Sequence, residues 1–228
     1  MFTRTAASIG QSTSNSERRG KAALGSDALF EAIELQGATL PFGRNAEIFG
    51  ESEPADYVYK VLSGAVRTYR VLNDGRRQIS DFYLPGDIFG LELGDEHSCS
   101  AEAIASSTVL LVRQTALVAL AERDGNIAGR LWSLTARQLQ RAQNHALLLI
   151  QSAQERVASF LLEMAERFSS GSSVELPMTR QDIADYLGLT IETVSRMLTQ
   201  LEGAATIELP ASRRIVLRNR TALTRLNS

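Results

Sequence analysis

The sequence predicts an α+β fold in three successive parts: a compact antiparallel β domain, one long helix, and a small helical module that ends in a β-hairpin. Three observations predict it. Short runs of β-formers punctuated by glycine turns fill the segment from about Leu40 to Arg113. A seam of residues spaced alternately three and four apart then runs from Trp132 to Leu149 without a proline. Finally, two short apolar-periodic segments meet at Leu187-Gly188-Leu189 and are followed by the alternating run TIELPASRRIVLR.

Composition bounds the function classes. With 228 residues, 44% hydrophobic and 22% charged, the chain is long enough for two modest domains with their own cores. The net charge of -2 excludes a uniformly basic nucleic-acid coat, so any basic surface is local. A single cysteine, Cys99, rules out an intramolecular disulfide and any cluster needing several thiolates, and fits a reducing cytoplasm. Two separated histidines, His97 and His145, do not make a multi-histidine metal centre or a catalytic constellation. No apolar run approaches the roughly 20 residues that span a bilayer, and no signal peptide opens the chain. The expectation is a cytoplasmic protein with no membrane association, no metal, no cofactor and no enzymatic activity.

Residues 1–25 are rich in Ser, Thr, Arg and Ala without apolar periodicity and read as a flexible arm. Arg4, Arg18, Arg19 and Lys21 against Glu17 leave it with three surplus positive charges that could touch phosphates. The β domain is placed at residues 26–125, with turns at Ser63-Gly64, Asn73-Asp74-Gly75 and Pro85-Gly86. Asn73-Asp74-Gly75, between two alternating runs, is the clearest hairpin.

The long helix is placed at residues 126–151. Its seam of Trp132, Thr135, Leu139, Ala142, Ala146 and Leu149 can pair with a copy of itself, the two alanines allowing close approach of the backbones. The alternative is packing against the chain's own β domain. The last part, residues 152–228, opens with the helix QERVASFLLEMAERF and the loop SSGSS from Ser169 to Ser173.

Thr179 suits the N-cap of a helix containing Ile183, Ala184 and Leu187, and Gly188 can take the left-handed conformation of a sharp turn. Thr190 can cap a second helix whose inner stripe is Val194, Leu198 and Leu201. This is a helix-turn-helix pattern. Ile191, Glu192, Ser195 and Arg196 then face outward near the second helix's N-terminal end, where such a helix presents side chains to the major groove. Arginine can donate two hydrogen bonds to guanine O6 and N7, and glutamate can accept from cytosine N4. The alternative is that Glu192 and Arg196 form an exposed ion pair of no functional weight. Thr179, Arg180, Gln181, Thr190 and Thr193 are candidate phosphate donors, joined by Arg213 and Arg214 near the tip of a C-terminal hairpin that reads as a wing.

The order of parts resembles the Crp-Fnr superfamily of bacterial transcription regulators over nearly everything after the arm, and GLTIETVSRMLTQLE is similar to that family's recognition-helix signature. Glu192, Ser195 and Arg196, in the pattern E-x-x-S-R, place the resemblance in the Fnr and FixK-type branch. The resemblance implies a cyclic-nucleotide-binding-like β-roll, a dimerisation helix and a winged helix-turn-helix. It further implies a homodimer on double-stranded DNA with an inverted-repeat site, RNA polymerase as partner, and activation of genes for low-oxygen respiration or nitrogen fixation.

In the cyclic-AMP-dependent branch an arginine precedes the glutamate and reads a further guanine. Here the residue is Ile191, which can contact a thymine methyl, so TTGA-type half-sites are expected over TGTGA-type. The nucleotide-binding pattern is also broken. Leu91, or Glu92 after a slip, stands where a ribose-binding glutamate belongs, and His97 before Ser98 stands where an arginine pairs with the cyclic phosphate. Ala142 and Gln143 replace the small polar pair that reaches the purine. The arm lacks the cysteine cluster of oxygen-sensing members. A scaffold-like roll without a small-molecule effector is therefore expected, with His97 and Cys99 as ordinary loop residues. The alternative is a sensor with an effector other than a cyclic nucleotide.

Overall fold

The computed structural model describes residues 37–168 and 173–226. The basic arm and most of the Ser169–Ser173 loop lie outside these residues. The β domain comprises β1 (Ala38–Phe42), β2 (Glu47–Phe49), β3 (Tyr57–Ser63), β4 (Val66–Val71), β5 (Arg77–Tyr83), β6 (Ile88–Phe89), β7 (Ser100–Ala103) and β8 (Ser107–Arg113). They form two four-stranded sheets, ordered β1-β8-β3-β6 and β2-β7-β4-β5. One cluster, with Phe49, Tyr59, Val61, Val66, Phe89, Ala101 and Val109, draws residues from both sheets. A second cluster sets Val58, Leu110 and Val112 of β3 and β8 against helical residues. The central strands are thus covered on both faces, which explains why YVYKVL and STVLLVR run apolar rather than alternating. The Asn73-Asp74-Gly75 hairpin forms between β4 and β5 as expected, with Gly75 at φ +83°.

Two helices follow: α1 (Gln114–Arg123), which was not expected and ends the segment read as β domain, and the expected long helix, α2 (Gly125–Leu148), which stops three residues short of its expected end at 151. The two are separated at Asp124, which is extended (φ -132°, ψ 107°) and whose carboxylate accepts from the Asn126 N–H at 2.8 Å, an N-cap close to the expected helix start at residue 126. At 24 residues α2 is about 36 Å long. One face, with Ile127 and Leu134, packs with Leu117 of α1 against the β domain. The predicted seam is on the other side: Trp132 (77% exposed), Thr135, Leu139 (59%), Ala142 and Ala146 are uncovered. The helix therefore packs on its own β domain and still presents the seam. Leu149 departs from the expectation. It lies one residue beyond the helix, as its C-cap, and is half-buried, because the chain turns there toward the last domain.

The C-terminal part contains α3 (Ala153–Arg167), β9 (Ser173–Glu175), α4 (Arg180–Leu187), α5 (Ile191–Gly203), β10 (Ile207–Ala211), β11 (Arg214–Leu217) and α6 (Arg220–Leu226). Ser152 and Glu155 close a reciprocal capping box at the start of α3. The hairpin β10–β11 is joined by β9 in a three-stranded sheet ordered β10-β11-β9, so the wing has a third strand that begins at Ser173. Its core includes Phe160, Met164, Ile183, Leu187, Val194, Leu198, Leu201, Ile215 and Leu223. The same cluster contains Ile79, Phe82 and Leu84 of the β domain, so the two domains share one apolar contact. No helix among the described residues is long and apolar enough to cross a membrane.

Candidate nucleic-acid interface

The turn between α4 and α5 is built as the sequence indicates. The Thr179 hydroxyl accepts from the Asp182 N–H at 3.1 Å while the Asp182 carboxylate accepts from the Thr179 N–H at 2.8 Å, a capping box legible in the T-x-x-D spacing. Gly188 closes α4 in the left-handed region (φ +61°). Arg156 of α3 holds the turn from below, its guanidinium donating to the Leu187 carbonyl at 2.8 Å. Thr190 caps α5, accepting from the Thr193 N–H at 3.2 Å. Val194, Met197, Leu198 and Leu201 are buried, which fixes the rotation of α5 and turns its other face outward.

On that outer face Ile191, Glu192 and Arg196 are exposed and Ser195 is half-buried. Among the described residues no ion pair joins Glu192 to Arg196, and Arg196 has no hydrogen-bond partner, so its donors point to solvent. The Glu192 carboxylate accepts from its own main-chain N–H and from the Thr190 hydroxyl, which holds it below the usual carboxylate range and ionised at neutral pH. An ionised carboxylate only accepts, as a cytosine amine requires.

The candidate phosphate donors differ in availability. The Thr179 hydroxyl donates to Asp182 at 2.8 Å, so its proton is engaged in the cap. The Gln181 amide donates to Asp185 at 2.6 Å. Arg180 reaches across to the Ser195 hydroxyl at 3.3 Å, bringing the N-terminal ends of α4 and α5 together. Thr190 and Thr193 sit side by side, their hydroxyls 3.1 Å apart, at the positive end of the α5 dipole. Arg213 occupies the wing tip between β10 and β11, and the exposed Arg214 donates to Ser173 at 3.2 Å.

The β domain holds a cleft of about 410 Å³ lined by Arg70, Tyr83, Glu92, Ser98, Cys99 and Gln138, among others. Its polar groups are turned on one another. Arg70 donates to the Ser98 carbonyl and lies 3.5 Å from Glu51, and Glu92 accepts from the Ser98 N–H and hydroxyl at 3.2 and 3.1 Å. His97 is not the ordinary loop residue expected. It is 2% exposed and stacked on Phe49 with ring centroids 3.6 Å apart. Burial lowers its pKa against the opposing pull of Glu92, so it stays neutral. Burial, aided by the Glu92 charge, pushes the Cys99 thiol up to about 11.

A cyclic nucleotide-binding domain model matches residues 39–124, and a Crp-like helix-turn-helix domain model matches residues 155–226. The nitrogen fixation regulation protein FixK of Azorhizobium caulinodans is 50% identical over 216 residues, covering 92% of this chain and 87% of the relative. The protein of the same name from Rhizobium meliloti is 44% identical, covering 82% and 84%. The transcriptional activatory protein AadR of Rhodopseudomonas palustris is 41% identical over 75% and 74%. Among solved structures, FixK2 from Bradyrhizobium japonicum superposes with a TM-score of 0.81 at 49% identity, over 84% of this chain and 98% of that one.

Proposed function

Because this chain belongs to the FixK-type branch of the Crp-Fnr family of DNA-binding transcription regulators, we propose that it acts as a homodimer on inverted TTGA-type half-sites without a small-molecule effector. The observation that carries this reading is the free, outward-facing Arg196 beside the ionised Glu192 on a helix whose rotation is fixed by its buried stripe. Arg196 donates to a guanine, Glu192 accepts from a cytosine, Ile191 contacts a thymine methyl, and Ser195 holds Arg180 toward the backbone. Thr193, Arg180 and the wing residues Arg213 and Arg214 contact phosphates and set register, while Thr190 acts through the α5 cap, its proton engaged by Glu192. Thr179 and Gln181 act through the cap and the helix instead, since their donors are engaged.

The exposed seam of α2 pairs with a second copy, setting two α5 helices about 34–36 Å apart on one face of the duplex. Effector independence is supported by the roll cleft, where Arg70, the one guanidinium lining it among the described residues, is drawn to Ser98 and Glu51 rather than left open for a cyclic phosphate. By analogy with the relatives' names, the genes controlled are those of nitrogen fixation, and they are activated; control of low-oxygen respiration and RNA polymerase as partner are what the family resemblance implies.

Fluorescence anisotropy of the purified protein on two duplexes at one fixed, moderate salt concentration tests this, because phosphate contacts weaken steeply with salt. Tight binding to inverted TTGA-type half-sites and weak binding to TGTGA-type is the expected result. Equally weak binding to both, rescued by a small molecule, would overturn effector independence and make the roll a sensor.

A further inference from the structure

The contact between the β domain and α4 contains more charge than a structural contact needs. Arg67 of β4, 7% exposed, donates to Asp182 and, at 2.8 Å, to Glu102. Arg77 of β5 donates to Asp182 at 2.9 Å and to Asp185 at 2.8 Å. Both guanidinium groups meet the same Asp182 oxygen, Oδ1, while the other oxygen, Oδ2, accepts from the N–H and hydroxyl of Thr179. Asp182, 3% exposed, is therefore shared between the helix cap and the β domain.

At the far end of β5, about 13 Å along the strand from Arg77, Arg167 of α3 reaches Asp87 at 2.7 Å and Asp81 at 3.8 Å. Between the two ionic groups the Phe82 and Tyr186 rings meet at 5.2 Å. The apolar contact holds the domains together but is non-directional. Buried ion pairs add little net stability, yet an arrangement that leaves one of their members buried and unpaired is strongly disfavoured. Two separated ionic points thus select one rotation of the helix-turn-helix on the β domain.

We propose that Arg77, together with Arg67, is a positioning residue for DNA recognition: by gripping Asp182 and Asp185 it locks α4, and with it α5, in the orientation that reads DNA. The inference rests on the DNA-reading assignment above. The locked orientation leaves both the α5 face and the α2 seam open, as a dimer straddling two major grooves requires. A domain free to rotate would hold that orientation for only part of the time, and apparent affinity falls by that fraction.

Arg77 is the residue to test, because its side chain is partly exposed and, with Arg67 retained, its loss does not leave Asp182 unpaired. In the full-length protein, Arg77→Ala is expected to lose about tenfold in affinity for the TTGA-type duplex, with an unchanged circular dichroism spectrum. The slope of log affinity against log salt should stay at the wild-type value, because no phosphate contact is removed. Arg77→Glu should bind more weakly still, and adding Asp185→Arg to it should recover affinity to within about threefold of wild type. Wild-type affinity in Arg77→Ala, no recovery in the double variant, or a slope reduced by about one would each overturn the proposal, the last by making Arg77 a direct phosphate contact. If the wild-type protein itself binds neither duplex, the DNA-reading assignment fails instead.

Discussion

At the scale of single residues, two side chains, Arg196 and Glu192, separate reading DNA from merely holding a helix. Among the described residues Arg196 has no partner, so its replacement removes contacts made only in the complex. Arg196→Ala is expected to weaken binding to the TTGA-type duplex about 10-fold to 100-fold and to relax preference at one base pair. The same assay across single-base variants checks both parts. Arg196→Lys should recover little, since a point charge does not reproduce the two-pronged geometry. Glu192→Ala should leave circular dichroism unchanged while relaxing preference at the neighbouring pair. Cys99 gives a pH prediction. With its thiol pushed up to about 11, the protonated form dominates at neutral pH. Alkylation by iodoacetamide should be slow at pH 7 and still be rising steeply at about pH 10, where an ordinary thiol has levelled off. A rate profile with its midpoint near pH 8.5 would show that the thiol is not shielded.

At the scale of elements, the α4–α5 turn depends on one backbone conformation. A Cβ on Gly188 would meet Leu149 and Arg156 at 3.4 and 3.5 Å, which is ordinary contact, so the cost of Gly188→Ala is conformational. At φ +61° that cost is about 1–2 kcal/mol, and the melting temperature should fall by roughly 2–8 °C, read by circular dichroism. An unchanged melting temperature would mean that the turn has another conformation open to it. The helix boundaries show where local reading ends. Thr179, Gly188 and Thr190 are legible as caps and turn because each acts through groups within four residues of itself. Helix α1 is not, because Gln114–Arg123 lies within the segment that reads as β domain and its place is set by the packing of Leu117 on β3 and β8. The short strand β9 escapes notice for a similar reason: three residues pair with β11 about forty positions away.

At the scale of the whole molecule, α2 carries two faces with two tasks. Ile127 and Leu134 bind it to its own β domain, and the exposed stripe through Trp132 and Leu139 remains to be covered. Leu139→Asp places a charge in the middle of that stripe. Sedimentation equilibrium should report a monomer, against the dimer expected of the wild type, and affinity for the inverted repeat should drop far more than for a single half-site. A variant that stays dimeric would move the pairing surface off α2.

The α+β class, the three-part order, the family and the outward residues of α5 were all readable from the chain itself. They are written in periodicity, turn residues and cap spacing, which act over a few positions. Tertiary structure alone decided the burial of His97 on Phe49, the half-buried place of Leu149 at the helix end, and the meeting of Arg67 and Arg77 with Asp182 and Asp185. Those partners lie more than 100 residues apart in the chain for the arginine–aspartate contacts. A lone arginine on a strand looks like any solvated charge until folding removes the water around it and leaves it one specific carboxylate.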